Sequence, residues 1–236
     1  MAFNTWLEIH GHNLVPGNTP ASGIDWSNAP EFANGMMPTQ LGGVSVLFGS
    51  LPGYIYFYCS AQTSPACADD QINVLAPLLS TVNPFSIVVG VFNNGALIAK
   101  TPVLRERVSP AFLSFDAMGH IAARHLDGSI MAPANLYPGS STPAKAGELI
   151  ELYGTGFGTV PGGIVAGFAT QTGNLDTAGL SCWVSGVNAQ AVGALVNPGL
   201  YQINLTVPKG VPSGDNPVVC IYSFYSTFPG ALISVQ

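Results

Sequence analysis

The stretch IHGHN sets His10 and His12 two residues apart. On a β-strand that spacing sends both imidazoles to one face, where they could share a metal ion. A closed site needs two further ligands, and the other histidines, His120 and His125, lie in the opposite half of the chain. The pair therefore reads as surface histidines flanking a turn glycine. In ACADDQ, Asp69 and Asp70 offer paired carboxylates of the kind that hold calcium. Calcium needs six to eight oxygens, roughly, and the alternating acidic spacing of a calcium loop is missing. A solvated acidic loop that keeps a strand edge from pairing is the expectation. His10, His12, Asp69 and Asp70 are thus weak candidates only, and the sequence predicts no metal and no cofactor.

Covalent catalysis fares no better. There is no G-x-S-x-G, and PGSST (138–142) lacks the second glycine and the strand-to-helix setting of a nucleophile elbow. YGTGFGTVPGG resembles a phosphate loop, but no helical pattern follows to supply the anion-binding N-terminus, so a wide turn is predicted. Glu148 and Glu151 would face opposite sides of a strand, and Glu8 sits in the other half of the chain, so no glycosidase-like carboxylate pair forms. The expectation is a protein that is not an enzyme.

Aromatic residues carry a binding signal. Strict alternation in YIYFY places Tyr54, Tyr56 and Tyr58 on one strand face, and in IYSFYS it places Tyr222 with Phe224. Tyrosine rows on a solvent face suit a sugar or a protein partner, since the ring is apolar and the hydroxyl still bonds. The structural alternative is cross-strand pairing that stabilises the sheet.

The elements that position these residues follow from composition. Charged residues are 8% of the chain, against roughly 25% in an average domain. Gly (28) and Pro (19) are abundant and lie between short apolar runs, the pattern of strands joined by turns. A net charge of −6 with six basic residues leaves no electrostatic footprint for nucleic acid. Four of the six (Lys100, Arg105, Arg107, Arg124) gather in one polar stretch, expected to be a solvated connector. No apolar run is long enough to span a bilayer as a helix, and the N-terminal residues do not read as a secretory signal.

The chain writes itself twice. QINVLAP (71–77) returns as QINLTVP (202–208), LEIHGHNL as IELYGTGF within LIELYGTGFG, VSVLFGSLPGYIYFY (44–58) as SCWVSGVNAQAVGA (181–194), and NPFSIVVG as NPVVCIYS. The period fits a duplicated domain, and each copy offers six or seven short strands, the pattern of an immunoglobulin-like sandwich without its usual Cys…Trp…Cys signature. Two modules are predicted, 1–107 and 108–236. In HIAARHLDGSIMAP, Asp127-Gly128 predicts a hairpin at the front of the second module, and PGSSTPAKAG is predicted to be loop. Two cysteines fall in each copy. Four allow three pairings; the local one, Cys59–Cys67 stapling a loop and Cys182–Cys220 stapling a core, is expected, with Cys182 answering Val46 and Cys220 answering Ile87.

VSPAFLSFD, HLDGSIMAPANLYPGSSTPAKAGELIELYGTGFG and GLYQINLTVPKGVPSGDNPVV resemble the Solibacter-type C-terminal domain family of secreted bacterial proteins. LEIHGHNL, LGGVSVLFG, YIYFY and QINVLAP resemble the IPT/TIG-like immunoglobulin-type module that often precedes it. The resemblance implies an extracellular or cell-surface location and brings no active site. His12 and the long CSAQTSPACADDQIN loop depart from it. The resulting expectation is a non-catalytic extracellular structural or interaction module, adhesin-like or self-assembling, with a protein partner or a second copy of itself. A carbohydrate-binding module using the tyrosine faces is the alternative, and a metal-dependent hydrolase the third.

Overall fold

Period-two alternation sets the strands. Val44, Val46 and Phe48 are buried while Ser45 and Leu47 are not, and Ile203, Leu205 and Val207 are buried between half-exposed neighbours. The computed structural model describes residues 1–78, 86–160 and 166–236. Among these, two 3-10 turns, Trp26–Asn28 and Thr177–Gly179, are the only helical elements. The fold is all-β and sandwich-like, and its strands pair antiparallel almost throughout. The Asn83-Pro84 start of the NPFSIVVG echo, and part of the VPGG turn, lie outside the described residues.

Contacts divide the chain into two units, Met1–Arg107 with Val165–Gln171, and Val108–Ile164 with Thr172–Gln236. The second stretch of the first unit was assigned by sequence to the other module. It goes with the first because Met37 N–H donates to the Gly167 carbonyl (2.7 Å) and Ala169 N–H to that of Gly35 (2.8 Å).

In the first unit, β1 (Trp6–Gly11), β2 (Ile24–Asp25), β3 (Gln40–Leu41), β4 (Val44–Phe48), β5 (Leu51–Pro52), β6 (Tyr54–Cys59), β7 (Asp70–Leu75), β8 (Ser86–Asn93) and β9 (Ala96–Leu104) form two sheets. One runs β1-β7-β6-β2, the other β3-β4-β8-β9 with β5 on β4. Val46, Phe48, Ile55, Tyr58, Ile72 and Val91 fill the core. The stretch around Lys100, expected as a connector, is instead part of β9, nine residues long.

The second unit holds β10 (Ala111–Phe112), β11 (Ala123–His125), β12 (Ile130–Met131), β13 (Ser141–Thr142), β14 (Leu149–Thr155), β15 (Gly173–Asn174), β16 (Leu180–Val184), β17 (Val187–Ala189), β18 (Ala191–Asn197), β19 (Leu200–Thr206), β20 (Gly214–Tyr222), β21 (Tyr225–Ser226) and β22 (Leu232–Val235). The hairpin at Asp127-Gly128 joins β11 to β12. PGSSTPAKAG is not all loop, because Ser141 and Thr142 pair parallel with β12.

The two units repeat one strand order. β1-β7-β6-β2 returns as β14-β19-β18-β15, and β4 with its hairpin β5 and neighbour β8 returns as β16 with β17 and β20. Register fixes the correspondence residue by residue. Ile9 opposes Ile72 as Leu152 opposes Ile203. Gly49 N–H donates to the Val88 carbonyl as Ser185 N–H donates to that of Pro217, both at 2.8 Å. Val46 opposes Val91 as Cys182 opposes Cys220. Cys220 therefore answers Val91 and not Ile87; the Asn-Pro echo runs four residues out of structural register. Both disulfides take the local pairing, Cys59–Cys67 across a loop and Cys182–Cys220 between adjacent core strands.

Candidate interaction surface

The repeated QIN lies at the same place in both units and makes the same bond. Ile72 and Ile203 point inward and are fully buried, while the flanking Gln and Asn point out. Gln71 Nε2 donates to Asn73 Oδ1 at 2.7 Å, and Gln202 Nε2 to Asn204 Oδ1 at 2.7 Å. Beside them, β1 presents Glu8 and His10, and β14 presents Glu151 and Tyr153. Tyr153 donates its hydroxyl hydrogen to Glu151 at 3.0 Å. These side-chain pairs lie along the strand and stiffen a polar sheet face.

The tyrosine rows do not form. A β-bulge between Ile55 and Phe57 inserts one residue, so Ile55 and Tyr58 both turn inward and are buried, while Tyr56 remains exposed. A bulge shifts alternation by one, so Tyr54, Tyr56 and Tyr58 cannot share a face. Tyr222 is likewise buried, and the chain turns at Ser223 and Phe224, both at positive φ, before pairing back through Tyr225. Phe224 stands fully exposed on that turn, and its expected partnership with Tyr222 is lost because the strand ends between them.

A different aromatic group forms around Tyr56. Its ring centroid lies 5.0 Å from Trp26 and 5.8 Å from Trp6; Trp6 and Trp26 are 5.9 Å apart, and Phe32 is 5.5 Å from Trp26. The three mutual contacts of Trp6, Trp26 and Tyr56 are edge-to-face, the preferred geometry of ring quadrupoles. Trp6 comes from β1, Tyr56 from the bulge and Trp26 from a 3-10 turn capped by the Asp25 carboxylate, which accepts from Ser27 N–H at 2.6 Å. Sequence alternation could not assemble this group, because the bulge and the turn are what bring it together.

The metal candidates separate. His10 Nε2 lies 3.5 Å from Glu8, and His12 Nδ1 lies 3.7 Å from Asp69. Asp70 is no member of a solvated loop. It is buried in β7, where Oδ2 accepts from Leu14 N–H (2.9 Å) and Oδ1 accepts from Ser60 Oγ (3.1 Å) and Ala61 N–H (2.9 Å). Three donors occupy that carboxylate, so it knits two loops to the strand. No cluster of three or more His, Cys, Asp or Glu arranged for a metal occurs among the described residues.

In the second unit the histidines are built in. His120 is buried, with Nδ1 2.7 Å from Asp116, while Nε2 lies 3.2 Å from Asp215 without the alignment of a hydrogen bond. Burial pulls its pKa down, but the hydrogen bond with Asp116 and the charges of Asp116 and Asp215 outweigh this and leave it raised. Hydrogen bonding to His120 in turn holds the Asp116 carboxyl below its ordinary range. His125 links Glu148 (2.5 Å) to Thr142, whose hydroxyl and carbonyl oxygens each lie 3.0 Å from Nε2, at the wall of a cleft of about 690 Å³. A hydroxyl, an imidazole and a carboxylate thus stand in line, and the ring also ties β13 to β11 through the Thr142 carbonyl.

One further feature is invisible in the sequence. Between β1 and β9 of the first unit runs an apolar groove of about 360 Å³, lined by Leu7, Ile9, Val89, Val91, Ala99 and Val103 among others. Val89 and Val91 belong to the buried core of the unit, and Leu7, Ile9, Ala99 and Val103 pack against it.

No family model matches the chain, and no curated protein matches it. Among solved structures, a beta-glycosidase from Bacteroides vulgatus is similar at 12% identity and a TM-score of 0.25, over 98% of this chain and 24% of that one. The chain therefore spans about a quarter of that protein's length, and a likeness at this TM-score assigns nothing.

Proposed function

We propose that the chain is a non-catalytic interaction module of an exported protein, built from two tandem immunoglobulin-like sandwiches, the second of the Solibacter-type C-terminal kind. Two disulfides in a chain of this size suit an oxidising compartment outside the cytoplasm. The observation that carries the reading is the Trp6, Trp26, Phe32 and Tyr56 group. Aromatic anchors fixed by mutual edge-to-face packing lose little side-chain entropy on contact, which is why such residues dominate binding hot spots. A low surface charge leaves little repulsion against a neighbour of the same kind. The partner is a protein, a second copy included.

The same aromatic group favours a second reading, in which it stacks on the apolar face of a sugar ring and Tyr56 supplies a hydroxyl. One experiment treats both. Sedimentation across a concentration series and retention on a panel of insoluble polysaccharides are measured for the wild type and for Tyr56→Ala. Self-association weakened by the substitution supports the protein reading, and saturable retention weakened by it supports the sugar reading. Neither behaviour in the wild type, or both unchanged in Tyr56→Ala, removes the aromatic group from the function.

A further inference from the structure

The two units share a strand order but differ along one side. In the second unit, β14 is hydrogen-bonded on both flanks: β19 lies on one, while β10 and β11 cover the other, pairing Ala111 and Phe112 with Thr155 and Gly154, and Ala123 to His125 with Leu152 to Ile150. β22 closes the opposite sheet against the same segment, through Ile121 N–H to the Leu232 carbonyl (2.9 Å) and Ala144 N–H to that of Ser234 (2.9 Å). Ile150 and Leu152 are consequently 0% exposed, and so is Ala123, which seals them.

In the first unit nothing among the described residues takes that place. β1, which answers β14, has β7 as its single strand neighbour. Leu7 and Ile9, which answer Ile150 and Leu152, are left partly exposed and line the apolar groove that faces β9. β9 meets other backbone beyond β8 at its far end, where the Met1 ammonium donates to the Leu104 carbonyl at 2.9 Å.

We infer that the first unit is a strand acceptor. The groove between β1 and β9 takes up an extended segment of another polypeptide, which pairs antiparallel with Leu7 to Ile9 and sets a small apolar side chain opposite Ile9. The chain itself shows the chemistry that fits, since the segment Ala123 to His125 does this for β14, with Ala123 opposite Leu152. Main-chain bonds to an open edge supply affinity in such strand addition, and alternate side chains in the groove supply selectivity.

The length of the segment is bounded by one substitution between the copies. Gly156 has φ +79 and lies where a Cβ would stand 2.0 Å from the Ser109 carbonyl, so only glycine admits the covering chain there. The answering residue is Asn13, at φ +56, whose Cβ bars that end. The incoming strand is therefore confined to Trp6–His10. A second copy fits poorly through its own β1. A two-fold register centred on Glu8 sets two carboxylates opposite one another, and one centred on Ile9 puts isoleucine where the second unit has alanine.

The proposal shares with the reading above the idea of an interaction module and the strand that carries Trp6, but it uses the open flank of that strand and not the aromatic face around Tyr56, so it stands or falls separately. The test titrates a synthetic peptide, MGHIAARHL, the sequence of residues 118–126, into the isotopically labelled full chain, and follows backbone amides by NMR. Saturable shifts at residues 7–10 and at Val89, Val91, Ala99 and Val103 are expected, with slowed exchange of the β1 amides. A peptide carrying glutamate in the place of Ala123 should bind at least tenfold more weakly. Thr101→Arg, at an exposed residue of the groove wall, should weaken binding as much, while Tyr56→Ala should leave it unchanged. The inference is overturned by absent shifts, by equal binding of a scrambled peptide, by shifts elsewhere, or by a β1-to-β1 dimer that excludes the peptide.

Discussion

Val46 and Val91 oppose one another as Cys182 and Cys220 do, so the second unit's bridge can be transplanted into the first. Val46→Cys with Val91→Cys should oxidise spontaneously. The loop closed is roughly 45 residues, for which constraint of the unfolded chain amounts to about 4 kcal/mol in the entropy model. Both valines are fully or nearly fully buried, and each loses a methyl-sized group on substitution. At ~1 kcal/mol for each, the net gain should be about 2 kcal/mol, or a rise of roughly 1.5 M in urea midpoint for a slope near 1.3 kcal/mol/M. Intact mass before and after reduction counts the bridge. Urea unfolding is then followed by Trp6 and Trp26 fluorescence in a Trp183→Phe background, which confines the signal to the first unit. Two added free thiols in the oxidised protein would refute the register, and so would efficient bridging of Val46→Cys with Ile87→Cys, the pairing that the Asn-Pro echo implies.

Gly156→Ala should destabilise the second unit by at least ~2 kcal/mol, from left-handed strain together with collision against the Ser109 carbonyl; Asn13→Gly in the first unit, measured by the same urea titration, should change little. Asp70→Asn keeps an acceptor for Ser60 and Ala61 but turns an amide donor toward the Leu14 N–H. A loss of about 1.5 to 3 kcal/mol is expected, and a change under about 0.5 kcal/mol would show that the loops are held by other means. His120 has a raised folded pKa, so its contribution is complete below the unfolded value of 6.5 and fades as pH rises through the folded one. Asp116, held below 3.8, contributes above that value and loses its contribution as the solution is acidified. His120→Gln should therefore flatten the alkaline side of the second unit's stability profile above the unfolded pKa of 6.5; profiles that run parallel there would assign the histidine no linked proton.

Strand identity was largely legible in the sequence, because burial on one face imposes period two and each copy repeats it, whereas the order of strands in each sheet was not. QIN was informative for the same reason: an inward isoleucine between two outward amides cannot shift by one residue without burying both. What failed were the places where the period breaks locally. Tyr54, Tyr56 and Tyr58 look like a row until a bulge adds a residue, and Tyr222 with Phe224 looks like a row until the chain turns between them. Nothing in YIYFY marks the bulge, since every residue there suits a strand. Asp70 was misplaced because a carboxylate beside another acid and a cysteine looks solvated, and the donors that bury it come from Leu14, Ser60 and Ala61, of which Leu14 is remote in the chain.

The glycines of YGTGFG show how a motif can be informative for a reason other than the one it first suggests. As a phosphate loop it would need a helix behind it. As backbone it needs Gly154 and Gly156 because the Ala111 and Ser109 carbonyls approach to 2.7 and 2.0 Å of where their Cβ atoms would be. LEIHGHNL keeps the first of these glycines, where a Cβ would meet the flexible Leu14 side chain at 3.0 Å, and replaces the second with asparagine, a residue that tolerates the same left-handed turn. The turn is thus a property of the module, whereas the second glycine is a property of the covered module. Asparagine at that position reports a β1 flank free of close backbone, and the open groove beside Leu7 and Ile9 is the physical consequence.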